Sequence, residues 1–310
     1  MKRILVPVDG SEFAERAIGP ALALAARHDA ELHLVSVVSN VPPLPVAFAD
    51  DELIGRWVEE DEARVRQYTD RVAAESAERA EGVEVRTHVL VGRVSPKIQE
   101  LAQELEADLV VLTTHGRGAA SRAILGSIAD QLLRRLDRAL LLLPCPENDG
   151  ELPGIDSIRH VLVPLDGSQA AERALEALPT IVAPDRGARL TLACVVEEGF
   201  PIPSVYLPDQ ISEERFRELQ EKKAHEYLDR VAEGARAHGF RLVEPRVITA
   251  ADPARGLLHL SRDSGVEMIA LSTHGRGGAS RLLLGSVAGK LLAAAHIPVF
   301  VTRRPANERE

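Results

Sequence analysis

Along this 310-residue chain, short continuous apolar runs alternate with longer stretches whose apolar residues recur at helical spacing. In the first half, ILVPV (4–8) predicts a strand closed by Asp-Gly-Ser. A helix follows it, with Ala14, Ala17, Ile18, Ala21, Leu22 and Ala25 facing inward. ELHLVSVV (31–38) predicts a second strand. After the Pro-rich loop VPPLPVAFADD, a long helix carries Ile54, Trp57, Val58, Val65, Tyr68 and Val72 on one face. VEVRTHVLV (83–91) predicts a third strand, followed by a helix with Ile98, Leu101, Ala102 and Leu105 inward. DLVVLTT (108–114) is continuously apolar, as a strand buried on both faces should be. A last helix over roughly 124–135 and a fifth strand, ALLLL (139–143), complete the half.

The same plan then runs again. KRILVPVDGSEFAERAI (2–18) matches RHVLVPLDGSQAAERAL (159–175), with Asp9 and Asp166 lying 157 residues apart. LVVLTTHGRGAASRAILGSIADQLL (109–133) matches MIALSTHGRGGASRLLLGSVAGKLL (268–292), with Gly116 and Gly275 lying 159 apart. A repeat this long is a duplicated domain and not a solenoid of short units. The second copy has its own Pro-rich loop, GFPIPSVYLPD, and a helix carrying Phe216, Leu219, Tyr227, Leu228 and Val231. We divide the chain into a first domain (1–146), a linker (147–157), a second domain (158–304) and a tail (305–310). The segment between the copies is rich in Pro, Gly and acidic residues and lacks apolar periodicity.

Strands separated by helices of this length need crossover connections. Each half is therefore expected to be α/β, a parallel sheet with helices on both faces. Ligands of such sheets bind beyond the carboxyl ends of the strands, where strand order reverses.

Composition narrows the partners. The formal charge of −10, from 37 basic and 47 acidic residues, argues against a broad nucleic-acid surface, which needs clustered cations. A small anion remains compatible, because screening over roughly 8 Å leaves local donors in control. Aromatic residues make up only 3%, so the core must be aliphatic. Cys145 and Cys194 form no disulfide framework or metal cluster and read as small buried apolar residues. Pro7 and Asp9 interrupt the opening apolar run before a signal core could form, and no stretch approaches the ~20 apolar residues that span a bilayer. A cytoplasmic protein with no membrane contact is expected.

Two clusters fall at strand ends in each half. One is Pro7-Val8-Asp9-Gly10-Ser11, repeated as Pro164-Leu165-Asp166-Gly167-Ser168. The other is Thr113-Thr114-His115-Gly116-Arg117-Gly118, repeated as Ser272-Thr273-His274-Gly275-Arg276-Gly277. Gly126-Ser127 and Gly285-Ser286 follow at matching distance and open the last helix of each half. Glycines that admit backbone N–H groups, placed before a helix start with its unpaired donors, suit phosphate. A carboxylate such as Asp9 suits hydroxyls or an exocyclic amine. The bland reading of these residues is helix capping, by Asp9 with Glu12, by Asp166 with Gln169, and by Ser127 and Ser286. His115 and His274 each stand alone in sequence, so a metal site or catalytic base built by the protein is not expected. Arg117 and Arg276 suit either phosphate neutralisation or an exposed loop. The loops are neither Walker nor Rossmann motifs.

ILVPVDGS, THGR and LLGS, each present twice or nearly so, resemble the marks of universal stress proteins, and two such domains in tandem cover nearly the whole chain. The resemblance implies two five-stranded, doubly wound sheets of the adenine nucleotide α-hydrolase-like type, strand order 3-2-1-4-5. It also implies that the last strands (139–143 and 297–301) pair antiparallel as an intrachain pseudo-dimer, with association between chains left open. The nucleotide-binding branch carries a G-x-x-G-x9-G-[ST] pattern that holds ATP. By that resemblance Asp9 and Asp166 contact adenosine beside Pro7 and Pro164, and Val37 and Val195 flank the adenine. Gly116, Gly126 and Ser127 hold the phosphates, as do Gly275, Gly285 and Ser286, with Mg²⁺ carried mainly by the phosphates. His115, Arg117, His274 and Arg276 lie beside them. The first glycine of the pattern is Thr113 in one copy and Ser272 in the other, small hydroxylated residues that add bulk. Ala250 where the first copy has Gly92 is expected to tighten the second site.

The implied function is an ATP-binding stress-response sensor or regulator read by protein partners, with at most slow incidental hydrolysis. The alternative is a nucleotide-free stress module acting through protein contacts. An adenylate-processing enzyme on the same sheet is disfavoured, because DGSE and DGSQ stand where a SGGxDS-type pyrophosphate loop belongs.

Overall fold

The computed structural model describes residues 1–39, 51–114, 125–144, 154–198, 213–272 and 285–302. They form two compact units, and the chain passes from the first to the second between Ile155 and Asp156.

The first unit contains β1 (Arg3–Pro7), α1 (Glu12–Glu15), α2 (Ile18–His28), β2 (Glu31–Val38), α3 (Asp51–Arg79), β3 (Val85–Val91), α4 (Val94–Glu104), β4 (Leu109–Thr113), α5 (Ser127–Arg135) and β5 (Ala139–Leu143). Its strands pair in parallel in the order β3-β2-β1-β4-β5. The second unit contains β6 (His160–Pro164), α6 (Gln169–Ala177), β7 (Arg189–Glu197), α7 (Glu213–Ala237), β8 (Leu242–Ala250), α8 (Pro253–Asp263), β9 (Met268–Ser272), α9 (Ser286–Ala294) and β10 (Val299–Thr302). Its order, β8-β7-β6-β9-β10, is the same arrangement, again with parallel pairs. Both sheets have the expected 3-2-1-4-5 order.

The continuous apolar runs are central strands. Ile4, Leu5 and Val6 on β1 and Leu109, Val110 and Val111 on β4 have no exposed surface, and Val161, Leu162, Val163, Met268, Ile269 and Ala270 repeat this in the second unit. Helices cover both faces, so these strands cannot alternate apolar and polar residues. The amino ends of the central strands are held by carboxylates. Asp108 Oδ2 accepts from the backbone N–H groups of Lys2 (2.5 Å) and Arg3 (3.0 Å), and Glu267 Oε2 accepts from those of Arg159 (2.5 Å) and His160 (3.1 Å).

One expected element is divided. The single helix after β1 is two, α1 and α2, joined through Arg16 and Ala17. Pro20 lies in the first turn of α2, where it has no amide hydrogen to give to the preceding turn. In the second unit, α6 runs unbroken to Ala177, and Pro179 sits in a 3₁₀ turn over Leu178–Thr180.

Candidate functional site

In each unit the neighbours of the first strand come from opposite directions of winding: β2 on one side of β1 and β4 on the other, then β7 and β9 about β6. This is the switch point at which a parallel sheet opens a crevice beyond its carboxyl ends.

The chain leaves β1 through a tight turn. Val8 N–H still donates to the Val35 carbonyl at 2.9 Å, and Leu165 N–H does the same to Ala193 at 2.8 Å. Then Gly10 (φ 79°) and Gly167 (φ 84°) take the left-handed conformation that a side chain resists. Asp9 Oδ1 accepts from both the N–H (3.0 Å) and the hydroxyl (2.6 Å) of Ser11. Ser11 Oγ in turn accepts from Ala14 N–H at 3.2 Å, which makes Ser11 the cap of α1. Asp166, Ser168 and Ala171 repeat all three bonds at 3.0, 2.6 and 3.2 Å. This overturns the capping reading of Asp9 and Asp166. The serines cap, and each aspartate, exposed in the first unit and half-buried in the second, orients its serine from two residues upstream.

At the second cluster, β4 ends at Thr113, which is buried, and Thr114 N–H donates to the Leu143 carbonyl at 2.8 Å. The chain is back beside this strand end at Gly126, whose N–H donates to the Thr114 carbonyl at 2.7 Å. Gly126 is the N-cap of α5 and Gly285 that of α9, with nearly equal backbone angles (φ −56°, ψ 145° and φ −55°, ψ 145°). Among the described residues neither helix start is closed by a side-chain acceptor, and Ser127 and Ser286 are exposed first-turn residues. The capping reading of these two serines is therefore also corrected: the glycines occupy the caps. A helix start of this kind presents backbone donors and the positive end of its dipole.

Pro7, Asp9, Val37, Thr113, Gly126 and Ser127 thus all lie at the carboxyl edge of β2, β1 and β4. Pro164, Asp166, Val195, Ser272, Gly285 and Ser286 lie at the same edge of the second unit. Val37 and Val195 are both half-buried, Val37 between the buried Ser36 and Val38 and Val195 beside the buried Val196, which gives that edge an apolar spot. His115, Gly116, Arg117, His274, Gly275 and Arg276 fall outside the described residues.

A scan against family models matches the universal stress protein family over residues 1–144 and again over 157–303. The chain belongs to this family. A universal stress protein of Mycobacterium tuberculosis is 28% identical over 306 residues, covering 97% of both chains. One from Methanocaldococcus jannaschii is 30% identical over 150 residues, 48% of this chain and 85% of that protein. Among solved structures, a universal stress protein from Archaeoglobus fulgidus aligns with a TM-score of 0.65 over 99% of this chain and 97% of its own, at 19% identity. That likeness carries the fold.

The family domain explains why the edge residues come twice, and the two copies differ in detail. In the second unit the Ala250 methyl is turned onto Gly256 of α8, where an added Cβ would stand only 2.8 Å away. In the first, Gly92 (φ 144°) leaves room for the stem of Lys97, which an added Cβ would meet at 3.1 Å. Gly256, having no side chain, leaves room for that methyl. Asp252 caps α8 by accepting from Ala254 and Arg255, and it ties that cap to α9 through Lys290 Nζ at 2.7 Å. The Lys290 ammonium holds the Asp252 carboxyl below its ordinary range, helped by those backbone donors.

Residues missed in the sequence lie just behind the Asp-Gly-Ser turn. Tyr68 of α3 donates to Glu15 Oε1 at 3.0 Å, whereas Tyr227 of α7, near Glu172 and Asp166, has a buried hydroxyl with no hydrogen bond among the described residues. Burial first, and then these carboxylates, push both phenols well above their ordinary value. Arg71 and Arg230 lie over the two rings, 5.6 and 5.4 Å from their centroids. The signal was legible as YTDRVA (68–73) against YLDRVA (227–232), 159 residues apart. Their helical spacing placed both tyrosines on the apolar face and hid their hydroxyls. Among the described residues, no group of three or more His, Cys, Asp or Glu is placed to hold a metal ion.

Proposed function

We propose that the protein is an ATP-binding stress-response sensor or regulator and not a dedicated enzyme. The observation that carries this reading is the repeated pairing at each switch point. A carboxylate is fixed by an Asp-Gly-Ser turn, and a glycine-capped helix start with an exposed serine lies across the central strands. Such residues fit an adenine nucleotide. Asp9 and Asp166 would take hydroxyls or the amine of adenosine, and Val37, Val195, Pro7 and Pro164 would line its base. Backbone donors at Gly126-Ser127 and Gly285-Ser286 would meet phosphate, with Thr113 and Ser272 beside them. Gly116, Gly275, His115, His274, Arg117 and Arg276 keep the phosphate-side roles implied by resemblance. ATP carries the triphosphate and its Mg²⁺; the chain supplies orientation, and partner proteins read the result.

No helix among the described residues is long and apolar enough to cross a membrane, which is compatible with the cytoplasmic setting we propose. The test is direct. Nucleotide released on denaturing the purified protein should be ATP or ADP, and millimolar ATP·Mg should raise thermal stability. Ligand at a hundred times its Kd stabilises the native state by about 2.7 kcal/mol. Asp9→Ala and Asp166→Ala should each remove part of that shift. Neither released nucleotide nor a shift moves the reading to a nucleotide-free module, and turnover well above background makes it an enzyme.

A further inference from the structure

Asp9 lies between two points that are both tied to the long helix α3. Upstream, the Val8 carbonyl accepts from Ser36 Oγ at 3.0 Å, and Ser36 accepts from Thr69 Oγ1 of α3 at 2.9 Å, all within the buried interior. Downstream, Tyr68, the neighbour of Thr69, donates to Glu15 at the end of α1. Helix and turn are thereby linked on both sides of Asp9. The second unit lacks this arrangement: the buried Tyr227 hydroxyl makes no hydrogen bond among the described residues, Arg230, 3.9 Å from Glu172, lies over its ring, and Leu228 and Cys194 occupy the places of Thr69 and Ser36.

We propose that Tyr68 is a positioning residue that, together with the Thr69–Ser36 pair, fastens the Asp-Gly-Ser turn of the first unit to α3. Through it, occupancy at Asp9 and the ordering of α3 become coupled. The fastening stands on these contacts alone, whereas the coupling to ligand rests on the nucleotide reading. Coupling of this kind is reciprocal: whatever makes the turn hold a ligand better also makes the ligand hold the helix better. A hydrogen bond to a charged acceptor is strong enough for its loss to change local opening by roughly tenfold or more.

Hydrogen exchange followed by mass spectrometry on the full chain tests this without any ligand. Tyr68→Phe keeps the ring and the overlying arginine and removes only the hydroxyl. It should speed exchange in residues 8–15 by roughly tenfold and leave 165–172 as in the parent. Tyr227→Phe removes a hydroxyl that makes no hydrogen bond among the described residues and should leave both segments as in the parent. Glu15→Gln retains an oxygen that accepts the phenol proton and should behave as the parent, whereas Glu15→Leu should reproduce Tyr68→Phe. A space-filling tyrosine would give none of these differences, so unchanged exchange in Tyr68→Phe overturns the proposal. Adding ATP·Mg to the parent should protect residues 62–74 of α3, and Tyr68→Phe should abolish that protection. Protection that persists in the variant overturns the coupling. A parent that binds no ATP overturns the nucleotide reading and the coupling with it, while the ligand-free exchange still decides the fastening.

Discussion

At the scale of single residues, an aspartate that caps a helix and one that stands two residues before the cap look alike in a sequence. DGSE and DGSQ both offered Asp9 and Asp166 as caps with acidic or amide partners three residues on. The outcome was decided by Gly10 and Gly167, whose left-handed backbone turns the chain so that Ser11 and Ser168 reach the helix amides. The aspartates then support the cap and stay at the crevice edge. That the turn matters was legible from its double occurrence; its hydrogen bonding was not, because φ cannot be read from a glycine that also suits several other turns. Gly10→Ala should therefore lower unfolding free energy by about 1 kcal/mol, the cost of forcing a Cβ into the left-handed region. Urea denaturation would measure it. ATP affinity should fall with it, since the Asp9 carboxylate moves with the turn. A variant as stable as the parent would mean that the turn relaxes without strain.

Among the elements, strands were read nearly to the residue: 139–143 is the continuous apolar run expected of a buried parallel strand, and 31–38 kept its bounds although Glu31, His33 and Ser36 interrupt it. Helix ends were less legible. The expected start near 124 lies outside the described residues, and α5 is described from Ser127. The least legible feature is a contact between elements. Gly92 against Ala250 is visible in the repeat, but its complement, Lys97 against Gly256, is one turn of helix away. Together they fill one space in two ways: a lysine stem beside a glycine, or an alanine methyl beside a glycine of α8. Gly256→Ala would bring two methyl carbons to 2.8 Å, inside contact distance. It should cost about 1–3 kcal/mol, as overpacking does. Ala250→Gly added to that variant should restore most of the loss, leaving the milder approach of Ile248 at 3.3 Å. Thermal denaturation of the two singles and the double measures the coupling. Additive losses would show that the two positions do not share one space.

Over the whole molecule, duplication has kept the carboxyl edge of both sheets alike and let the layer behind it diverge. The Asp-Gly-Ser turn, the tyrosine with its glutamate and arginine, and the glycine-capped last helix occur in both units. Under the first sheet, by contrast, His33 is 1% exposed, and its Nδ1 lies 2.9 Å from His88 Nε2. Its Nε2 meets Glu31 at 3.1 Å. Arg3 and Arg86 lie around that carboxylate, and Glu104 of α4 acts on His88. In the second unit Thr191 and Arg246 take the two histidine positions, and His160 bonds Thr191 at 2.8 Å. Burial lowers the pKa of all three histidines, and the neighbouring His33 lowers that of His88 further. Each is therefore neutral when folded at a pH where the unfolded chain already binds a proton. On acidification the unfolded state takes up protons first, so stability falls as pH drops through about 6.5 and continues to fall toward the folded pKa. Glu31 acts in the same direction at lower pH, because its hydrogen bond to His33 holds its carboxyl below the ordinary value. Two histidines in one hydrogen-bonded pair against one beside a threonine make the first unit the more acid-sensitive. Urea titrations between about pH 7 and pH 5, read by exchange in each unit after correction for intrinsic rates, should show residues 1–144 losing protection before 157–302. His88→Gln should flatten that dependence in the first unit and leave the second unchanged. Loss of protection in the second unit first would refute the assignment of acid sensitivity to this pair.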